Sequence, residues 1–281
     1  MTRNSRARLA QFLASLGIDP FRLRSQIQRL RAWPATWRHR RQQYGHYFAD
    51  YAALSAQYEA SGREFPIVAF SPELNDRFSD SGSGLARGHY FEQDLLVAQW
   101  VFADRPDRHV DIGSRIDGFV AHVASFRELE VFDIRPQPAP MRNVRFRQAD
   151  LMADDPALHG YTPSLSCLHT LEHFGLGRYG DPVDYYGYRR GWENLHRMVQ
   201  PSGRLYFAVP IGPQRIEFNS QRIFSLPQLS ALIDPLYTVE RFAYVDDAGA
   251  LVENANLHAP EAARNHGCFM GCGIFALRRK G

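Results

Sequence analysis

A short apolar strand that runs into a glycine turn and then into a helix constrains this chain more than any other feature. The stretch is His109-Val-Asp-Ile-Gly-Ser-Arg-Ile-Asp-Gly-Phe-Val120. Asp111 ends the strand, Gly113 opens the turn and Gly118 begins the helix. Glycine is required where the backbone passes close to a ligand or adopts a positive φ. The next apolar strand ends at Asp133, 20 residues after Gly113, and an acid at that distance accepts hydrogen bonds from a ribose.

From Arg108 onward, short apolar strands alternate with helical segments. Such alternation predicts a mostly parallel sheet with helices on both faces. The last two strands are joined by the long connection 246–271, and we expect them to pair antiparallel at one edge. The predicted strands span 108–112, 129–133, 143–147, 163–168, 203–209, 235–245 and 272–278.

The glycine turn distinguishes two kinds of nucleoside site. A nicotinamide dehydrogenase uses G-x-G-x-x-G because the pyrophosphate needs a bare helix N-terminus. Here Ser114 and Arg115 stand where the middle glycine would be, and Asp111 lies just before the turn. An acid in that place suits a cofactor with a cationic amino-acid tail better than a pyrophosphate. A plain strand–turn–helix with a solvated Asp133 is the structural alternative.

Three later motifs extend the pattern. Ala149-Asp-Leu151 follows the third strand, Leu171-Glu-His173 follows the fourth, and Pro201-Ser-Gly-Arg-Leu205 leads into the fifth. In this order the motifs resemble class I S-adenosylmethionine-dependent methyltransferases over about residues 108–278. The stretch His169–Pro182 is similar to an uncharacterised methyltransferase-like family, domain of unknown function 268. One departure is that the usual G-x-G-x-G turn is Gly113-Ser-Arg-Ile-Asp-Gly118 here.

The resemblance implies a Rossmann-like α/β sheet, mostly parallel with an antiparallel last strand, that binds S-adenosyl-L-methionine. It implies that Gly113 and its neighbours bind the methionine part, Asp133 the ribose and Asp150 the adenine. Some members of the family lie among genes for surface-polysaccharide biosynthesis, which implies a sugar or glycan acceptor. The expected cofactor-binding residues are Asp111, Gly113, Ser114, Gly118, Asp133, Ile134, Asp150, Leu151 and His169.

The segment 169–184 leaves the carboxyl end of the fourth strand and is dense in titratable groups. Methyl transfer to a hydroxyl requires removal of a proton, and a histidine with a pKa near neutrality suits that task. We expect His173 to be the base, with Glu172 or Asp181 as its orienting partner; the alternative is that His173 is a wall of the cofactor pocket or a helix cap. No cysteine or histidine spacing indicates a metal site. The expected acceptor-binding residues are Arg178, Tyr179, Arg215, Asn219 and Arg222.

The first 46 residues hold ten arginines and one acid, Asp19, so they carry a formal charge of +9 and the remainder of the chain carries −6. Helical spacing with interleaved aromatic residues predicts a basic helical arm over 1–70, then a linker and lead-in helix over 71–107, and the methyltransferase-like domain over 108–281. The arm suits an anionic membrane surface, nucleic acid, or packing on its own domain or a partner. The resemblance favours the membrane and glycan-assembly enzymes over nucleic acid.

We expect a cytoplasmic protein, peripheral at the inner face of the membrane. The sequence contains no apolar run long enough to span a bilayer and no signal-peptide pattern, and its three cysteines leave one unpaired in any disulfide scheme. The expected activity is O-methylation of a sugar or glycan in a surface-polysaccharide pathway. Methylation of another small hydroxylated metabolite and an inactive cofactor-binding module that recruits partners are the alternatives.

Overall fold

The computed structural model describes residues 41–42, 44–60, 67 and 86–281. Residues 44–60 are helical, whereas most of the predicted arm and linker lie outside the described residues. A compact unit runs from Ala86 to Gly281, so it includes the helix that leads into the first strand. No helix in the described part of the chain is both long and apolar enough to cross a bilayer.

The compact unit alternates strands and helices as the sequence predicts. Its α-helices are α1 (His89–Asp104), α2 (Ala121–Ala124), α3 (Gly187–Met198) and α4 (Leu226–Ile233). A π-helical turn spans Ile116–Val120, and 3₁₀-helical segments span Pro156–Leu158, Leu171–His173 and Pro260–Gly267. Its strands are β1 (Val110–Ile112), β2 (Leu129–Asp133), β3 (Val144–Gln148), β4 (Thr162–Leu168), β5 (Val199–Ile211), β6 (Arg215–Glu217), β7 (Gln221–Ile223), β8 (Tyr237–Val245), β9 (Leu251–Val252) and β10 (Gly271–Arg279).

Eight strands form one sheet in the order β3-β2-β1-β4-β5-β10-β8-β9. Strands β1 to β5 pair in parallel, and β10 pairs antiparallel with both β5 and β8. The sheet is therefore mostly parallel with helices packed on it, and the expected Rossmann-like α/β fold class is confirmed, including the antiparallel last strand. The structure adds the hairpin β6–β7, where the sequence predicts a loop, and the two-residue strand β9.

The sheet has an apolar cluster on each face. Residues of β5 alternate between them: Leu205 and Phe207 belong to the cluster that includes Trp192 of α3, while Tyr206 and Ala208 belong to the cluster under α1 and α2. Successive side chains of a strand point to opposite faces, and a strand buried on both faces therefore reads as a continuous apolar run.

Helix α1 is tied to the sheet at its C-terminal end. Asp104 accepts a hydrogen bond from the Tyr206 hydroxyl at 2.5 Å and lies 2.7 Å from the Arg204 and 3.0 Å from the Arg241 guanidinium nitrogens. The helix ends there because Arg105 adopts the left-handed conformation and Pro106 follows. This anchoring fixes where the N-terminal turn of α1 lies, and that turn borders the cleft described next.

Candidate active site

A cleft opens beyond the carboxyl ends of β1, β2 and β4. Open α/β sheets bind ligands at this place, where the strand order reverses. The cleft consists of two neighbouring cavities of ≈ 60 Å³ and ≈ 370 Å³. Both are lined by Gly113, Asp133, Arg135, His169, His173 and Tyr179.

The glycine turn lies where the two cavities meet, since Gly113 lines both. Gly113 has φ +66°, and its amide donates to the Phe132 carbonyl at 2.8 Å. A Cβ at this position would lie 2.5 Å from Cγ2 of Thr170. A Cβ on Gly118 would collide with the carboxylate of Asp94, which α1 contributes. Both glycines are therefore required by their surroundings, even though the middle glycine of the usual motif is missing.

Asp111 supports the glycine turn from below and does not line the cleft. It is fully buried, and its carboxylate accepts hydrogen bonds from the Ser114 amide at 3.1 Å, the Ser114 hydroxyl at 2.6 Å and the Ser166 hydroxyl at 2.5 Å. Burial raises the pKa of Asp111 to about 6, against the effect of these donors. The expectation that Asp111 touches the cofactor is therefore corrected: Asp111 holds the shape of the turn through Ser114.

The polar chain under the turn continues to a histidine that the sequence reasoning missed. His109 Nε2 lies 3.2 Å from the Ser166 hydroxyl, and its Nδ1 lies 2.8 Å from the Ser164 hydroxyl. Burial lowers the pKa of His109 to about 3, so the ring is neutral at pH 7. The signal in the sequence was the alternation of polar residues on β1 and β4, since residues two apart share a face.

Asp133 lies in the cleft, as the sequence predicts, but both of its oxygens are engaged. Oδ1 accepts from the Arg135 amide at 2.8 Å and from Arg135 Nε at 3.0 Å, and Oδ2 accepts from Nη2 at 2.6 Å. The Arg135 guanidinium also lies 4.8 Å from the centre of the Tyr179 ring. Arg135 is a cleft residue that the sequence reasoning missed, although the Asp-x-Arg spacing was visible.

The smaller cavity has the character of a nucleobase pocket. Its walls combine apolar side chains with the Asp150 carboxylate, which accepts from the Met152 amide at 2.9 Å. Of the predicted residues, Ile134, Asp150 and Leu151 line this cavity, and Ser114 lines the larger one. The smaller cavity is also lined by Ile112, Phe132, Ala149 and Met152.

His169 is the most strained residue of the cleft wall. It has φ +51°, a conformation that non-glycine residues rarely adopt and that is common at functional sites. Its Nδ1 lies 2.8 Å from Glu172 Oε1, and its ring stacks on His89 of α1 with a centroid separation of 5.6 Å. Within the described residues, the buried atoms Nε2 of His169 and Oε2 of Glu172 have no hydrogen-bond partner. His169 lines both cavities.

His173 is oriented for proton acceptance. Its Nδ1 donates to the Ser220 carbonyl at 2.7 Å, which leaves Nε2 as the basic nitrogen, 3.8 Å from Glu172 Oε1. Burial lowers the pKa of His173, and the nearby Glu172 carboxylate offsets part of this effect. The ring is therefore neutral at pH 7, the state that a general base requires.

Asp181 is not the orienting partner of His173. Its carboxylate accepts from the backbone amides of Gly175, Gly177 and Tyr179 at 2.8, 3.1 and 3.1 Å. These bonds close the loop that follows His173. The expectation that Asp181 acts in catalysis is corrected, since the Ser220 carbonyl, on a turn distant in sequence, orients the imidazole.

The five residues predicted to bind the acceptor do not lie together in the structure. Tyr179 lines the cleft, and Arg178 donates to the Ser220 carbonyl at 3.1 Å. Arg222 is buried, and its guanidinium donates to the backbone carbonyls of Glu172, Phe174, Asp184 and Tyr185. The role predicted for Arg222 is therefore corrected: its donors hold together the two ends of the loop from 172 to 185.

The remaining two predicted acceptor residues lie on the β6–β7 hairpin. Arg215 donates to Glu217 Oε1 at 3.1 Å and to the Phe269 carbonyl at 3.0 Å, and it lines a separate cavity of ≈ 230 Å³. Asn219 occupies the tip of the hairpin with φ +55°. Neither lines the cleft, because the predicted loop is a hairpin that directs these residues elsewhere. In the described part of the chain, no group of three or more His, Cys, Asp or Glu residues is arranged to hold a metal ion.

The strand order, the antiparallel β10 and the cleft beyond β1 and β2 define a Rossmann-like α/β domain. Residues 158–267 match the sequence model of a family described as "Caenorhabditis protein of unknown function, DUF268". The match spans less than half of the chain and confirms the resemblance indicated by the stretch His169–Pro182. No curated protein matches the chain by sequence.

Several solved structures are similar to this chain. The N-methyltransferase NodS from Bradyrhizobium japonicum WM9, in complex with S-adenosyl-L-homocysteine, is 12% identical with a TM-score of 0.47, over 73% of this chain and 94% of that chain. The 1,6-didemethyltoxoflavin-N1-methyltransferase of Burkholderia thailandensis is 16% identical with a TM-score of 0.43, over 67% and 79%. The 4+2 cyclase SpnF is 13% identical with a TM-score of 0.45, over 66% and 81%. At these identities and scores, the fold assignment rests on the strand order of this chain and its function on the site.

Proposed function

We propose that this chain is an S-adenosylmethionine-dependent O-methyltransferase whose acceptor is a sugar or glycan. The observation that carries the proposal is the orientation of His173, whose Nδ1 is held by the Ser220 carbonyl while Nε2 remains a neutral base at the cleft. A base is needed when the acceptor is a hydroxyl, because its proton must leave as the oxygen is alkylated.

The residues of the cleft fit the cofactor. When bound, S-adenosylmethionine supplies an electrophilic methyl group on a sulfonium. The Gly113 turn leaves room for close approach, since any side chain there would meet Thr170. Asp133 offers carboxylate oxygens to ribose hydroxyls, and Asp150 offers one to an adenine amino group.

The chain's own residues perform the remaining steps. His173 Nε2 takes the proton of the acceptor hydroxyl, and Glu172, 3.8 Å away, stabilises the imidazolium that results. Glu172 is fully buried, so water screens the attraction between its carboxylate and the imidazolium only weakly. Arg222 and Asp181 keep the loop from 172 to 185 closed around this pair through their bonds to backbone groups.

The experiment that tests the proposal has two stages. Calorimetry with S-adenosylhomocysteine and with NAD identifies the nucleoside, and tight NAD binding without S-adenosylhomocysteine binding contradicts the proposed cofactor. Transfer of a labelled methyl group to a panel of sugar nucleotides and lipid-linked glycans then identifies the acceptor. Transfer only to non-carbohydrate hydroxyl compounds contradicts the sugar assignment.

A cofactor-binding module without turnover is the second candidate. The observation that favours it is the Ser114-Arg115 replacement of the middle glycine, together with the Arg135 guanidinium bound to Asp133. Retention of nucleoside binding without methyl transfer to any acceptor in the panel favours this candidate. The basic arm then has a recruiting role in either case, at an anionic membrane surface or on glycan-assembly enzymes, and its formal charge of +9 supports this part of the proposal.

A further inference from the structure

The pair formed by Arg135 and Asp133 divides the cleft. Asp133, Arg135 and Tyr179 line both cavities, so the pair stands at their common boundary. The cavity on the Asp150 side has a volume of ≈ 60 Å³ and its neighbour one of ≈ 370 Å³. A nucleoside that spans both cavities therefore has to pass the pair.

Both oxygens of the carboxylate that a ribose requires already accept hydrogen bonds. Arg135 places three donors on the two oxygens of Asp133, at 2.6 to 3.0 Å. Two of these donors belong to the guanidinium, and a two-point bond between a guanidinium and a carboxylate is stronger than a bond from a neutral hydroxyl. The side chain of Asp133 is 14% exposed and that of Arg135 is 52% exposed. Of the two partners, Arg135 is the one that is free to move.

Tyr179 offers the guanidinium a second partner that does not involve Asp133. The guanidinium carbon of Arg135 lies 4.8 Å from the centre of the Tyr179 ring, within the range of a cation–π contact. Arg178 lies 5.2 Å from the same ring centre but makes no bond to Asp133; its guanidinium donates to the Ser220 carbonyl. The ring thus retains Arg135 at the cleft after the bond to Asp133 is broken.

We propose that Arg135 is an internal competitor of the cofactor for Asp133, and this inference rests on the proposed function. Binding of the nucleoside separates the guanidinium from the carboxylate, joins the two cavities and leaves Arg135 on Tyr179. Arg135 therefore sets the affinity of the cleft for the nucleoside, because the free energy of the ion pair is subtracted from the free energy of binding. The pair also makes nucleoside affinity dependent on ionic strength.

Calorimetric titration of the full chain with S-adenosylhomocysteine tests the proposal. Arg135→Gln keeps much of the length of the side chain but removes its charge and its two-point bond. We expect the variant to bind about twofold to fivefold more tightly than the wild type, since a partly exposed ion pair of good geometry is worth up to about a factor of five. Arg145→Gln, which removes an equal charge from an exposed ion pair with Glu128 outside the cleft, is the matched control and should bind as the wild type does. Thermal melting of both variants verifies that they are folded.

Ionic strength provides a second readout. Salt weakens the exposed pair in the free wild-type chain, so the ratio of the two dissociation constants, wild type over Arg135→Gln, should fall toward one as sodium chloride is raised. Equal or weaker binding by Arg135→Gln overturns the competitor role while the proposed cofactor stands. An equal gain in affinity for Arg145→Gln also overturns it, because the effect is then one of charge alone. Absence of S-adenosylhomocysteine binding in the wild type and in every variant overturns the proposed cofactor, and this inference with it.

Discussion

His173 donates its Nδ1 proton to the Ser220 carbonyl oxygen across 2.7 Å, and this bond decides which imidazole nitrogen is basic. A carbonyl can only accept, so Nε2 is unprotonated in the neutral ring. The two residues are 47 positions apart and meet because the β6–β7 hairpin packs against the turn Leu171–His173. The tautomer of the candidate base is therefore set by a contact that β7 and its preceding turn provide.

Replacing His173 should slow methyl transfer without preventing cofactor binding. His173→Gln and His173→Ala should lower kcat by about 10²–10⁴-fold, the usual contribution of a general base, while affinity for S-adenosylhomocysteine changes little. Single-turnover assays and calorimetry measure the two effects separately. His159, an exposed histidine paired with Asp154, supplies the control variant His159→Gln. Loss of cofactor binding in the His173 variants shows instead that the imidazole is a pocket wall.

The pH dependence of the same reaction follows from the lowered pKa of His173. The neutral form is the active one, so the rate should rise with pH through that pKa, with a midpoint below the ordinary histidine value of 6.5. A pH profile of kcat for the wild type measures this limb. A plateau reached only well above pH 7 contradicts the assignment of His173 as the base.

Asp133→Ala should weaken binding of the nucleoside. Removal of a charged hydrogen-bond partner of the ribose costs about 1.5–3 kcal/mol of binding free energy, which calorimetry with S-adenosylhomocysteine measures. Glu128→Ala is the control, because Glu128 forms an exposed ion pair with Arg145 outside the cleft. An equal loss in both variants indicates a general charge effect and contradicts the ribose role.

Gly113→Ala should impair the glycine turn for two separable reasons. The residue has φ +66°, which costs about 1 kcal/mol or more for alanine, and its Cβ would meet Cγ2 of Thr170. Combining Gly113→Ala with Thr170→Ser removes that methyl group and should restore part of the lost stability and nucleoside affinity. Urea unfolding and calorimetry follow the two quantities. Failure of Thr170→Ser to restore anything shows that backbone strain alone accounts for the loss.

Asp111 should make stability fall as the pH rises. Burial raises its pKa from 3.8 to about 6, so between these values the folded chain holds a proton that the unfolded chain has lost. The resulting stabilisation is complete below pH 3.8 and is lost as the pH rises through about 6, a change of about 3 kcal/mol in the free energy of unfolding. Asp111→Asn does not titrate. The difference in free energy of unfolding between wild type and Asp111→Asn should therefore shift by that amount between pH 4 and pH 7 in urea titrations, and a constant difference contradicts the prediction.

Removal of the basic arm should affect location rather than cofactor binding. A chain beginning at Ala86 retains the compact unit and should keep its affinity for S-adenosylhomocysteine. It should lose salt-sensitive binding to vesicles that contain anionic lipid, because twelve arginines are removed. Sedimentation with vesicles of phosphatidylserine and phosphatidylcholine at two salt concentrations makes the measurement. Equal vesicle binding by the full and shortened chains contradicts a membrane role for the arm.

The sequence by itself determined the sheet and the place of the site. Strands buried on both faces read as apolar runs, so β1 to β5, β8 and β10 were predictable to within a few residues. Gly113 and Asp133 marked the cleft because local backbone geometry and strand spacing constrain them.

The tertiary structure alone decided what each polar group does there. Arg135 donates to both oxygens of Asp133. Ser114 and Ser166 donate to the carboxylate of Asp111, and the Ser220 carbonyl orients His173. Two of these partners come from other strands or turns, and a hydrogen bond between distant segments depends on a packing geometry that local sequence patterns do not encode. Arg135 is only two residues from Asp133, but the sequence does not predict their contact. The position of the guanidinium also depends on Tyr179, which another segment brings to the cleft.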